Sequence, residues 1–378
     1  MRLSDDPRAR RRLALLLTAA AAAFAAGVAV GAGGGGQDAQ PSQPEAEQRQ
    51  ERLLEAVDRL SLRQQVGQLI VSTFPDRAPP DYIRRRLRAN ETAGVILFGL
   101  NADSRAGWRS LTRSLQAAAR GRALVMADQE GGDIRTLRWA GPEAGQPFQG
   151  DAAGVRRTAR AAARQLRGAG VNVNLAPVAD VPAGPAPVMG SRAFAGNATG
   201  IAARTRAALA GMRDGGVGAT AKHFPGLGRA QVNTDDGSAT VGGSLAPDLV
   251  PFRAAVKAGA PLIMLSHALY PALDPRRIAS QSPAVVSGLL RGRLAYDGVI
   301  VTDSIEAQAV LDRSGVGRAA ERSIRAGADL ILCTGSASWN QVHPWLLRRA
   351  RGSPALRKRI RSSAARVLAL KEALGLLD

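Results

Sequence analysis

Charged and imidazole side chains collect at the ends of apolar runs in this chain. Lys222 and His223 fall in the last residues of one run, just before Pro225-Gly226-Leu227-Gly228. Asp303 closes the run that begins Val299-Ile300-Val301. Asp128-Gln129-Glu130-Gly131-Gly132 ends a third run, Asp180 a fourth and Ser266-His267 a fifth. Asn233-Thr234-Asp235-Asp236-Gly237 adds two adjacent acids after the Lys222 loop. Asp180 alone reads most simply as a strand-end cap. Together these ends suit a polyhydroxylated ligand, because sugars need many directional hydrogen bonds and charged partners make the strong ones. Two carboxylates or their equivalents are also the minimum for glycoside hydrolysis. Asp303 is the candidate nucleophile, held on a rigid strand and aimed at a pocket. No His-rich or Cys-rich cluster accompanies these residues, so neither a metal nor another cofactor is expected. Cys333 is the single cysteine and lies in an apolar run, where a buried core residue is expected and no disulfide can form within the chain.

The elements that must position these residues form a series. Eight apolar runs, at 69–74, 94–99, 123–129, 171–180, 219–224, 262–269, 299–305 and 329–333, do not alternate polar with apolar. That pattern belongs to strands buried on both faces of a parallel sheet. Arg/Ala/Leu segments of helical character lie between them, several ending at a glycine such as Gly168, Gly215 or Gly327. Eight β-then-α units describe a single (β/α)8 TIM-type barrel over 52–378. A doubly wound open sheet is the alternative, weakened because no Gly-rich dinucleotide fingerprint opens the first helix. In such a barrel, chemistry sits at the carboxyl ends of the strands, where the polar residues above fall.

Residues 1–32 read as a signal peptide or membrane anchor. Arg8, Arg10, Arg11 and Arg12 precede a charge-free run from Leu13 to Ala32. Twenty such residues span roughly 30 Å, the thickness of a bilayer core. Export is expected, with the barrel anchored outside the membrane or secreted after cleavage. Residues 33–51 read as a flexible linker. The net charge of +20 is almost all arginine, since lysine occurs only at 222, 257, 358 and 371. Solvated helix faces explain most of it. Nucleic acid is not an expected partner, because aromatics are only 4% of the chain and no recognition motif is present. A monomer is expected.

Read together, these segments resemble glycoside hydrolase family 3, specifically its single-domain bacterial β-N-acetylhexosaminidases. The resemblance runs from about residue 55 to 375. It rests on Gly94-Val95-Ile96-Leu97-Phe98-Gly99, Asp128 to Gly132, Ala176-Pro177-Val178-Ala179-Asp180-Val181, Gly190-Ser191-Arg192-Ala193-Phe194, the Lys222 segment, Ser266-His267-Ala268 and 298–304. It implies that Asp303 forms a covalent glycosyl-enzyme, that Lys222 and His223 hydrogen-bond sugar hydroxyls, and that Asp128 and Arg192 grip the non-reducing sugar. Arg135 stands for a further arginine, one residue closer to Asp128 than the pattern places it. His267, from the sixth run's end, joins the substrate-binding candidates.

The departure lies in the general acid. The family pattern carries Asp-Ser-His after Lys-His-Phe-Pro-Gly-His-Gly, and its last histidine protonates the leaving group. Here Leu227 replaces the first loop histidine, and Asp235-Asp236-Gly237 contains none. Three readings follow. Asp235 or Asp236 acts as the acid, with a pKa raised by its neighbour and by burial. Glu130 or Glu306 supplies it from another loop. Or the protein binds wall fragments without efficient turnover. The leading expectation is a retaining glycosidase removing terminal β-linked N-acetylglucosamine from peptidoglycan fragments or chitooligosaccharides, with β-glucosidase-type specificity as a further alternative.

Overall fold

The computed structural model describes residues 43–184 and 187–377. The expected signal or anchor at 1–32 lies outside the described residues. Among those described, no helix is long and apolar enough to cross a membrane. Eight parallel strands close into a barrel in chain order: β1 (Ile70–Ser72), β2 (Gly94–Ile96), β3 (Leu124–Ala127), β4 (Val173–Asn174), β5 (Gly218–Phe224), β6 (Leu262–Leu265), β7 (Val299–Ser304) and β8 (Leu330–Leu332). Closure comes from β1 on β8, with Ile70 opposite Ile331 and Val71 opposite Leu332. This is the expected (β/α)8 fold, and the open-sheet alternative is removed by that last pairing.

The strands carry apolar residues on both faces because both faces are covered. One set, including Val71, Ile96, Met126, Leu175, Met264, Val301 and Leu332, fills the barrel interior, joined by Val367 and Leu370 of the last helix (Pro354–Ala373). The other set packs outward on the helices, as Ile263 and Ile300 do. Helices begin where the sequence offers a side-chain acceptor for a free amide. Ser104, Asp151, Asn197 and Ser353 cap the helices Arg105–Ala119, Ala152–Gly168, Ala198–Asp214 and Pro354–Ala373. Ala152–Gly168 and Ala198–Asp214 pack backbone to backbone: a Cβ on Gly211 would stand 2.4 Å from the Arg156 carbonyl oxygen.

Two expectations change. The linker expected to run to residue 51 gives way to a helix at Gln43–Asp58. Its Glu, Gln and Arg side chains are good helix formers, and Arg49 pairs with Glu372 at 2.6 Å. The fourth run is regular strand only at Val173–Asn174. Beyond it, Pro177 has no amide to donate, and the chain follows β5 through single bonds such as Ala179 N to the Lys222 carbonyl, 2.6 Å.

Candidate active site

A cavity of about 660 Å³ opens at the carboxyl ends of the strands, as the fold requires of a catalytic barrel. Its floor is built from two strand ends. Past β3 the backbone stays extended, so Asp128 and Glu130 point into the cavity while Gln129 points away. The Gln129 amide ties down the following hairpin, donating to the carbonyls of Leu137, Ala140 and Gly141 and accepting from Leu137 N. From β5, Lys222 reaches across and donates to Asp128 Oδ1 at 2.7 Å and Glu130 Oε1 at 2.8 Å. Arg192 forks onto both Glu130 oxygens at 2.9 and 2.6 Å.

This network divides labour between two acids that look alike in sequence. Glu130 is fully enclosed by its cations. Burial works to raise its pKa, but Lys222 and Arg192 outweigh that and hold it at about 2. It is the fixed counter-charge that keeps Lys222 and Arg192 in place. Lys222 in turn is held well above the usual lysine range, its burial offset by Asp128 and Glu130. Asp128 keeps a quarter of its side chain exposed and has one oxygen free of protein donors among the described residues. That oxygen can accept from a ligand hydroxyl.

His223 is oriented from behind. Asp180, with no exposed surface, accepts from His223 Nδ1 at 2.7 Å, from His223 N at 3.2 Å and from Leu227 N at 2.7 Å. An ionised carboxylate only accepts, so the Nδ1 proton is fixed there and Nε2 faces the cavity. Nε2 lies 3.8 Å from Asp303 Oδ2. The turn that lets Asp180 reach both groups needs glycine. Gly226 has φ +131°, and a Cβ on Gly228 would meet the Val181 carbonyl oxygen at 2.1 Å. Asp180 is thus more than a strand-end cap.

Asp303 ends β7 in the cavity, its Oδ1 accepting from Ser304 N at 2.8 Å. Burial pushes its pKa up, but the His223 and His267 imidazoles and the Lys222 ammonium hold it below the usual carboxylate value. Asp235 faces the same cavity and shifts the opposite way. Crowding at the cavity wall raises its pKa first, and the negative charge of Asp303 raises it further. The Asp235 side chain is itself solvent-exposed, so the crowding is that of a rim rather than of a core and the Asp303 charge is the more telling cause. Asp236 is exposed and does not line the cavity.

The Asp235 loop is docked against the chain that follows Asp303. Asn233 forms a turn that accepts from Asp236 N and Gly237 N through its carbonyl and from Asp235 N through its side chain. Gln308 N donates to the Asp235 carbonyl and Ala309 N to the Thr234 carbonyl, both at 3.1 Å. Asp312 accepts from Ser238 Oγ at 3.1 Å and from Gln308 Nε2 at 2.6 Å. At the loop's other end Arg229 bonds Asp248 at 2.8 Å. The Asp235 loop is thereby tied to the chain that follows Asp303.

Other candidates separate. Arg135 lines the cavity from the hairpin and donates to the Gly132 carbonyl. His267, expected to touch substrate, does not line the cavity. It is buried, with Nε2 donating to the Ser304 carbonyl at 2.9 Å and Nδ1 accepting from Ser280 Oγ at 2.7 Å. It braces the strand end that carries Asp303, and burial lowers its pKa. Glu306 lines the cavity, but its Oε2 takes bonds from Ser304 Oγ, Thr334 N and Thr334 Oγ1, tying β7 to β8. Glu130, held at about 2, is unsuited to donate a proton. Asp133 and Arg138 at the mouth carried no signal in the sequence, because only the hairpin's geometry turns them inward. Among the described residues no His, Cys, Asp or Glu group is arranged to hold a metal.

The family model described as the glycosyl hydrolase family 3 N terminal domain matches residues 61–370. The chain belongs to glycosyl hydrolase family 3. A β-hexosaminidase of Xanthomonas oryzae pv. oryzae is 33% identical over 260 residues, covering 65% of this chain and 77% of the relative. Among solved structures, a family 3 β-N-acetylglucosaminidase of a Paenibacillus species superposes with a TM-score of 0.80 at 34% identity, over 84% of this chain and 63% of that one. The chain thus spans a little under two thirds of that enzyme. A β-N-acetylhexosaminidase of Beutenbergia cavernae gives 0.75 at 34% identity, over 83% of this chain and 99% of that one. As a family 3 member with such kin, the protein is a glycosidase.

Proposed function

We propose that this family 3 protein is a retaining β-N-acetylhexosaminidase, with Asp303 as nucleophile and Asp235 as general acid and base. One observation carries the reading: two carboxylates face one sugar-sized cavity with pKa values pushed in opposite directions. Such divergence is how a site assigns one carboxylate to attack and another to donate. Asp128 and Lys222 grip hydroxyls of the terminal sugar, with Arg192 and Arg135 beside them. Asp303 attacks the anomeric carbon while Asp235 gives its proton to the departing oxygen. The resulting glycosyl ester is opened by water, whose proton returns to Asp235. The relatives' names support a terminal N-acetylglucosamine, and peptidoglycan fragments or chitooligosaccharides are the substrates that carry it. Export, directed by the apolar run 13–32, would place the enzyme where such fragments arise.

The covalent step has a direct test. Without Asp235, a substrate with a very acidic phenol should still glycosylate Asp303, but water should then open the ester slowly. Intact-protein mass spectrometry of Asp235→Asn should show one added N-acetylhexosamine, mapped to the Asp303 peptide. Rapid turnover by Asp303→Asn, or an adduct elsewhere, would end the nucleophile assignment.

A further inference from the structure

A second cavity, of about 690 Å³, lies at the opposite pole, beneath the amino-terminal ends of β1, β2 and β3. Among the described residues its polar lining is cationic: Arg59, Arg120, Arg122 and Lys371, with Gln68 and Asn90 and no Asp or Glu. Lys371 is 3% exposed, and its one hydrogen-bond partner among the described residues is the neutral Gln68 Oε1, at 2.8 Å. The Gln68 amide is held in that sense because its Nε2 donates to the Asn90 carbonyl. An ammonium has three N–H groups, so two remain open. Arg122 Nε is also shielded from solvent without an acceptor. A buried cation with no counter-charge is costly, and an anion in the cavity removes that cost.

We propose that this cavity binds a phosphate group, with Lys371 and Arg122 at its floor and Arg59 and Arg120 at its rim. Guanidinium forks and a point-charge ammonium together match a tetrahedral oxyanion. Leu60, Leu368 of the last helix, and Leu376 and Leu377 beyond it complete the walls, which leaves room for an apolar portion attached to the phosphate. The phosphate comes either from a soluble ester or from a lipid headgroup. The empty site disfavours the Lys371 charge: burial and then Arg122 lower its pKa to about 7. Anion binding restores the charge and takes up a proton.

The test uses the full chain. Sodium sulfate, whose charge is constant across the range, serves as the oxyanion probe in calorimetry against matched chloride. Saturable binding is expected, weakening roughly tenfold or more as pH rises from about 6.5 to 8.5 and Lys371 deprotonates. Lys371→Met and Arg122→Gln should each abolish it while hydrolysis of an aryl glycoside at the far pole is kept. Flotation with phosphatidylcholine vesicles, with and without phosphatidylglycerol, distinguishes the sources. Capture only by the anionic vesicles assigns a headgroup; sulfate binding without capture assigns a soluble phosphate. No saturable binding to either probe, or binding unchanged in both variants, overturns the proposal.

Discussion

Replacing Glu130 by Gln keeps the shape of the side chain and removes the charge that holds Lys222 and Arg192. The Glu130 carboxyl, ordinarily near 4.5, is held at about 2 in the fold. Multiplying that difference by the free energy of a tenfold step gives about 3 kcal/mol of stability at neutral pH. The group is fully enclosed, so solvent screening takes little from this figure. Loss of one partner from a buried ion pair independently suggests about 3–5 kcal/mol. The sign of the pH dependence follows from the depressed folded value. The contribution is fully present above the unfolded value of 4.5 and is lost as pH falls through about 2. Urea unfolding followed by tryptophan fluorescence should therefore separate wild type from Glu130→Gln by about 3 kcal/mol at pH 7 and by about 2 kcal/mol near pH 3.5. A difference under about 1 kcal/mol, or one constant across that range, would refute the assignment of Glu130 as the fixed counter-charge.

Three further outcomes are expected. Asp180→Asn places a donor against the amides of His223 and Leu227, so kcat/KM should fall roughly 100-fold with the fold retained by circular dichroism. Asp312→Ala removes the Ser238 tie of the Asp235 loop while the Gln308 and Ala309 backbone bonds remain, and should modestly slow a natural disaccharide while sparing an activated aryl glycoside. The acid limb of the pH–rate profile should follow Asp303, failing only below the usual carboxylate range; the alkaline limb should follow Asp235, failing above that range. Asp235→Asn should then remove the alkaline limb for the activated substrate.

Much of this was legible in the chain because parallel barrel strands are buried on both faces and leave near-continuous apolar runs. Lys222, His223, Asp128 and Asp303 were legible for the same reason, since each breaks such a run at its carboxyl end. What the runs could not show is which neighbour each side chain meets. His267 breaks its run as His223 does, yet it turns onto Ser280 and the Ser304 carbonyl. Glu130 resembles Asp128, but only Glu130 receives the Arg192 fork from 62 residues away. Asp235 and Asp236 are adjacent acids in one turn, and the cavity takes only the first. The helix within the expected linker was missed because its stretch has little apolar content to signal a packed element.

The central claim is that Asp235 supplies the proton that the family's histidine supplies elsewhere. The decisive measurement is kcat/KM of Asp235→Asn on two N-acetylglucosaminides, one with a strongly acidic phenol and one with a sugar as leaving group. The account predicts a loss of about 10²–10⁴-fold for the disaccharide, little change for the phenol glycoside, and azide rescue of its kcat. Equal losses on both substrates, or no loss on the disaccharide, would contradict it.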